Sequence, residues 1–208
     1  MRSLIVPTLL CVLFIHKSCA TVHTQCYNYF LQKDGCVFSA ADDRNRCSAD
    51  PKPSTAVGVV QESNKNVKRH TLARRYDTTL PSPSIQGEGI CGHYDTATAE
   101  GASLWVGPNP GSTRPEEAGW LNRGKTSNCN KRLYVINPRT GKTVYIKVID
   151  GHDFQTTQPD VGCFQIALTQ KTFLELDPTD EEKAKGAIGS LTWDFDNLHG
   201  ISPQQGPV

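Results

Sequence analysis

From Leu133 to Asp150 apolar and polar residues alternate in two runs. Leu133 and Val135 mark the first, and Val144, Ile146 and Val148 the second, with the period of two expected of half-buried strands. Asn137, Pro138 and Gly141 between them supply turn chemistry. The stretch therefore predicts a β-hairpin that delivers Asp150 to a short loop, Gly151-His152-Asp153-Phe154. Ala102 to Val106 reads as a further strand and Cys163 to Leu168 as another. Thr169 is placed to cap a short helix over Gln170 to Leu176, with Phe173 and Leu176 on one face. Asp180 to Lys185 predicts a second short helix. Ala187 to Phe195 predicts a closing strand that buries Ile188 or Leu191, Trp193 and Phe195. Residues 107–128 form an insertion-like loop of Gly and Pro around Trp120. The Pro, Gln and Gly of 197–208 predict a frayed, flexible tail.

The first twenty residues follow a different rule. A basic start at Arg2, an apolar run from Leu4 to Ile15 and small residues at Ser18 and Ala20 describe a secretory signal over 1–20. The run is too short for a membrane anchor, which needs about 20 apolar residues. The mature chain is expected to begin at Thr21, to be secreted, and to have no membrane partner.

Secretion changes how the cysteines are read. Of the eight in the chain, cleavage removes Cys11 and Cys19. Cys26, Cys36, Cys47, Cys91, Cys129 and Cys163 remain, an even set that implies disulfides whose pairing the sequence leaves open. No Cys-x-x-Cys pair or His/Cys finger spacing occurs, so neither a metal site nor a cofactor is expected. The chain also lacks an Asn-x-Ser/Thr acceptor for glycosylation. With 208 residues and a formal charge of +1, it has room for one domain plus an appendage. That balance excludes a nucleic-acid partner recruited by bulk charge.

Two segments precede the patterned half. Residues 21–50 carry three of the cysteines without clear periodicity. Residues 51–86, with Pro51, Pro53, Pro81 and Pro83, read as linker. Within the linker, Lys65 to Arg75 is locally basic. Three readings stay open for it: a solvated linker face, a dibasic processing site at Lys68-Arg69 or Arg74-Arg75, and a nuclear-import patch.

Five short motifs fall in order over residues 87–196: Gly89-Ile90-Cys91-Gly92; Cys129-Asn130-Lys131 before the hairpin; Val148-Ile149-Asp150; a strand followed by a short helix; and a final strand containing Trp193. This order resembles the RlpA-like double-psi β-barrel of barwins, expansin first domains, plant natriuretic peptides and family 45 glycoside hydrolases. The resemblance implies a mainly β fold, a six-stranded double-psi β-barrel with short helices over 87–196. It leaves the Cys-containing segment and linker unexplained.

In catalytic or wall-loosening members of that family, the strand before the short helix carries Asp in a pattern like His-Phe-Asp-Leu-Ser, with Phe four residues on. Leu168, Thr169 and Phe173 match the end of that pattern, which places the family's acid at Ala167. Alanine has no proton to donate, and losing a positioned acid removes about two to four orders of magnitude in rate. Asp95, Asp150, Asp153 and Asp160 are the remaining carboxylates, with Asp95 and Asp150 as weak catalytic candidates. By resemblance, Asp150 sits where the family's carboxylate braces the barrel through loop hydrogen bonds. The family's cysteine two residues further on is replaced by His152, so the family's disulfide set does not transfer intact.

Binding candidates are Tyr94, Trp120, His152 and Asp153. Trp120 is taken as an exposed loop aromatic suited to sugar stacking or protein contact, and Trp105 as a strand residue. His152 beside Asp150 and Asp153 is either an acid–base pair or a solvated loop histidine. The chain also resembles secreted, cysteine-bearing effectors of plant-pathogenic fungi. That resemblance implies a non-catalytic protein that engages a host protein, a defence regulator, after possible passage into the host cytoplasm or nucleus. The alternative is an expansin-like protein that binds or loosens cell-wall polysaccharide. True hydrolysis ranks third.

Overall fold

The computed structural model describes residues 22–48, 76–78, 82–83 and 87–208. The expected signal peptide at 1–20 and the basic cluster Lys65–Arg75 lie outside the described residues.

The described chain runs α1 (Gln25–Asp34), β1 (Tyr76–Asp77), β2 (Ser82–Pro83), β3 (Glu88–Gly89), β4 (Gly92–His93), β5 (Gly101–Trp105), β6 (Arg132–Asn137), β7 (Lys142–His152), α2 (Pro159–Gly162), β8 (Ile166–Leu168), α3 (Gln170–Glu175), α4 (Asp180–Lys185), β9 (Ala187–Ile188) and β10 (Thr192–Phe195). The fold is mainly β. One mixed sheet has the order β1-β10-β6-β7-β5-β8. Every neighbour pair in it is antiparallel except β5–β7.

The hairpin forms as the alternation predicts. Leu133 pairs Ile146 and Val135 pairs Val144, so both apolar sets face one core. The short helices also follow their signals. The Thr169 side chain accepts from Thr172 N to start α3, and Thr179 with Glu182 makes a reciprocal capping box for α4. The closing segment is two strands rather than one. Gly189 and Ser190 interrupt it, so β9 pairs with β2 while β10 pairs with β6. Only Ile166–Leu168 of the expected Cys163 strand is extended, because Pro159 begins a short helix just before it.

The N-terminal segment is not an appendage. Thr24 caps α1 and Gly35, at φ 72°, ends it. Cys26 and Phe30 lie one turn apart with Tyr27 beside them, and all three are buried in the main core. The first amides of α1 donate to the 107–128 loop, from Gln25 N to Ala118 O at 2.8 Å and from Cys26 N to Gly119 O at 3.1 Å. The following loop is tied down as well. Ser39 Oγ donates to the buried Asp194 carboxylate at 2.7 Å, which also accepts from Phe195 N at 2.7 Å.

The docked N-terminus explains a correction at Trp120. Expected on an exposed loop, it is fully buried among Phe30, Tyr76, Trp193 and Phe195. Its indole nitrogen donates to Cys163 O at 3.0 Å. Gly and Pro set the path of the loop, but the large apolar area of the ring decides where it rests. Part of the expected linker is likewise structured: Tyr76, fully buried, pairs Trp193 across β1 and β10.

The tail is a second correction. Ala41 N donates to Pro207 O at 3.2 Å and Val208 N to Asn128 Oδ1 at 3.2 Å, and Lys131 Nζ hydrogen-bonds Gly206 O. The Ala41 backbone and the Asn128 and Lys131 side chains hold it where composition suggested fraying.

All six cysteines pair: Cys26–Cys163, Cys36–Cys47 and Cys91–Cys129. Three disulfides fit an extracellular protein. No helix among the described residues is long and apolar enough to cross a membrane.

Candidate functional site

The end of β7 is where the sheet changes face. Ala102 pairs Val148, yet Ser103 pairs Asp150, so Ile149 is skipped at a bulge. A strict period of two would put Asp150 with Val144, Ile146 and Val148 in the core. The extra residue turns it to the opposite face, beside Ser103. Across β5 from the other side, Ser103 pairs Ala167 of β8. Asp150, Ser103 and Ala167 therefore form one row across three strands, while Ala102, Leu104, Ile166 and Leu168 face the main core.

The Asp150 carboxylate is engaged by three neutral donors. Oδ1 accepts from Ile90 N at 2.8 Å and Gly151 N at 2.7 Å, and Oδ2 accepts from the Tyr94 hydroxyl at 3.1 Å. Ile90 lies between β3 and β4, a ribbon held to the body by Cys91–Cys129. Glycine at 89 is required for this approach, since a Cβ there would lie 2.5 Å from Ile149 O and 3.0 Å from Asp150 Cβ. Burial, followed by the nearby Asp150 charge and hydrogen bond, pushes the Tyr94 phenol well above its ordinary range. Tyr94 stays protonated and donates.

Ala167 and Tyr94 are the buried members of a small second cluster, with Ala99, Ile149 and Phe154 packed against them. Ala167 contributes a methyl group where the resemblance puts an acid. Ser103, fully buried opposite it, has a hydroxyl with no hydrogen-bond partner. The row thus contains one carboxylate, already bonded, and no second acid.

The other candidates occupy separate stations. His152 is half-buried. Its carbonyl accepts from Val106 N at 3.1 Å, and its ring meets Phe154 edge-on at 4.7 Å. Asp153 shapes the turn by accepting from Gln155 N at 3.0 Å. Asp95 does the same on its own loop, accepting from Ala97 N at 2.8 Å. Asp160 is an exposed residue in the first turn of α2. Trp105 is buried, as its strand position predicts, with its nitrogen on Thr156 O at 3.1 Å. Phe154 joins His152 to the Tyr94 cluster, with Asp153 next to it in the chain, whereas Trp120 lies apart in the core. Among the described residues no group of three His, Cys, Asp or Glu side chains is placed to hold a metal ion.

Two residues of this site escape sequence reasoning. Ser103 is an ordinary strand residue until the bulge sets its neighbours. Phe154 reads as a loop hydrophobe, yet it has a left-handed backbone at φ 50°, followed by Gln155 at φ 53°. Asp153 before them, a common turn residue, was the available signal.

No family model and no curated protein matches the sequence. Among solved structures the chain is similar to the Streptomyces papain inhibitor (SPI), at a TM-score of 0.37 and 19% identity, covering 58% of this chain and 91% of that one.

Proposed function

We propose that this chain is a secreted, non-catalytic binding protein of the effector type, built on a double-psi β-barrel, that engages a host plant protein through the loops around Asp150. The observation that carries this reading is the commitment of Asp150 to Ile90 N, Gly151 N and Tyr94, with alanine at position 167, paired to Ser103 in the same row. A carboxylate that accepts three hydrogen bonds from its own loops braces those loops and presents their outer surface. Closure of the mixed sheet into a six-stranded barrel, entry into the host cytoplasm or nucleus, and a defence regulator as the target belong to the same proposal.

The expansin-like alternative retains one supporting observation. With Trp120 in the core, Tyr145 on the outer face of the hairpin is 58% exposed, with the Arg132 guanidinium carbon 5.9 Å from its ring centre. An exposed aromatic of this kind is a candidate sugar-stacking surface.

The test is a partner screen with residues 21–208 against host proteins, run beside retention on insoluble cellulose, chitin and peptidoglycan. The binding-protein reading expects a host protein to be captured and released by the double variant His152→Ala, Asp153→Ala. Retention on a polysaccharide that Tyr145→Ala abolishes, with no protein partner captured, would replace it with the wall-binding reading.

A further inference from the structure

The segment after β7 packs beside the Asp150 row in a strained backbone geometry. Phe154 and Gln155 are consecutive non-glycine residues in the left-handed region, at φ 50° and 53°. A bulky residue held there stores strain, and such strain persists only when surrounding contacts over-determine it. Asp153 supports the turn through the Gln155 N bond at 3.0 Å, and Thr156 is anchored by the Trp105 indole at 3.1 Å. Between these ties, the half-buried Phe154 ring packs against the Tyr94–Ala167 cluster and the edge of the main core, and lies edge-on to His152.

On the strand beside Ala167, the Ser103 hydroxyl is fully buried and unpartnered. A hydroxyl removed from water without a replacement hydrogen bond is penalised for as long as it stays buried. Backbone strain and the orphaned Ser103 Oγ therefore both favour an open form, while burial of the Phe154 ring favours the closed one.

We propose that Asp153–Thr156 is a strained lid that opens by withdrawing the Phe154 ring, exposing Ser103 Oγ, Tyr94 and the Asp150 carboxylate to solvent or to a bound group. The lid accounts for the left-handed pair and the orphaned hydroxyl together, and it does not depend on the protein-binding reading. Ala167, with no side chain beyond Cβ, belongs to the cluster against which Phe154 packs.

Opening is read in the intact protein from the rate at which N-acetylimidazole acylates Tyr94, located by peptide mass mapping, and from amide exchange at Ile90 and Gly151. Phe154→Ala is expected to raise Tyr94 acylation about tenfold or more, and Phe154→Leu to raise it less, because each removes a different share of the closing contact. Ser103→Ala is expected to lower it about tenfold, since the closed form no longer buries an unsatisfied hydroxyl. Gln155→Gly also lowers it, by removing strain from the closed form. Wild-type rates in both Ser103→Ala and Gln155→Gly would overturn the lid. So would equal acceleration of the Leu133 and Val135 amides in Phe154→Leu, which would mark global unfolding in place of a local opening.

Discussion

The Tyr94 hydroxyl donates to Asp150 Oδ2 at 3.1 Å, joining the loop after β4 to the end of the longest strand. Asp150→Asn preserves shape but replaces the second acceptor oxygen with a donor facing the Tyr94 hydroxyl. Losing charge-assisted bonds to a partly buried acceptor is expected to cost about 1–3 kcal/mol. Urea unfolding measures the loss. The Tyr94 phenol, relieved of the neighbouring charge, should titrate at lower pH than in the wild type by ultraviolet difference absorbance, though burial keeps it above the ordinary value.

Stability should vary with alkaline pH in two opposite steps. Burial, helped by the charge of Lys125, lowers the Lys131 amine to about 8. Between about pH 8 and its unfolded value of about 10.4, the unfolded chain binds more protons at this site than the folded one, so this contribution makes stability rise with pH. Above about pH 10 the sign reverses. Tyr94 and the buried Tyr76 keep their protons when folded and lose them when unfolded, so stability falls as pH climbs. Denaturation midpoints taken at intervals from pH 7.5 to 11 test both steps. Lys131→Met should flatten the first without touching the second.

Cys26 and Cys163 are both fully buried, and their bond joins α1 to the residues before β8. Replacing both with Ser is expected to cost about 2–5 kcal/mol. Limited proteolysis should then cut within 22–48 first, because the covalent tie of α1 to the sheet is gone. Equal protection of that segment in the double variant would show that aromatic packing alone holds it.

Trp120→Ala should behave as a core deletion. Its ring touches Phe30, Tyr76, Trp193 and Phe195, so the expected loss is about 3–5 kcal/mol in chemical denaturation. Tyr145→Ala, on the exposed face, should stay within about 0.5 kcal/mol. This contrast makes Tyr145 the usable probe of surface binding, and any binding lost in Trp120→Ala reports unfolding.

Local pattern determined a definite part of this protein. Alternation set the β6–β7 register because a one-residue slip would move Leu133, Val135, Val144, Ile146 and Val148 from core to solvent together. Thr169 and Thr179 marked helix starts because a side-chain oxygen satisfies nearby amides within three residues.

Tertiary structure decided the rest, where the outcome depended on residues distant in the chain. Cys26 met Cys163, 137 residues later, only when α1 packed beside α2. Trp120 became core because Phe30, ninety residues earlier in the chain, arrived beside it. Asp150 left the face its parity assigned because a single bulge at Ile149 turned it toward Ser103. A period of two predicts a face only while pairing stays regular, and bulges are set by the neighbouring strand.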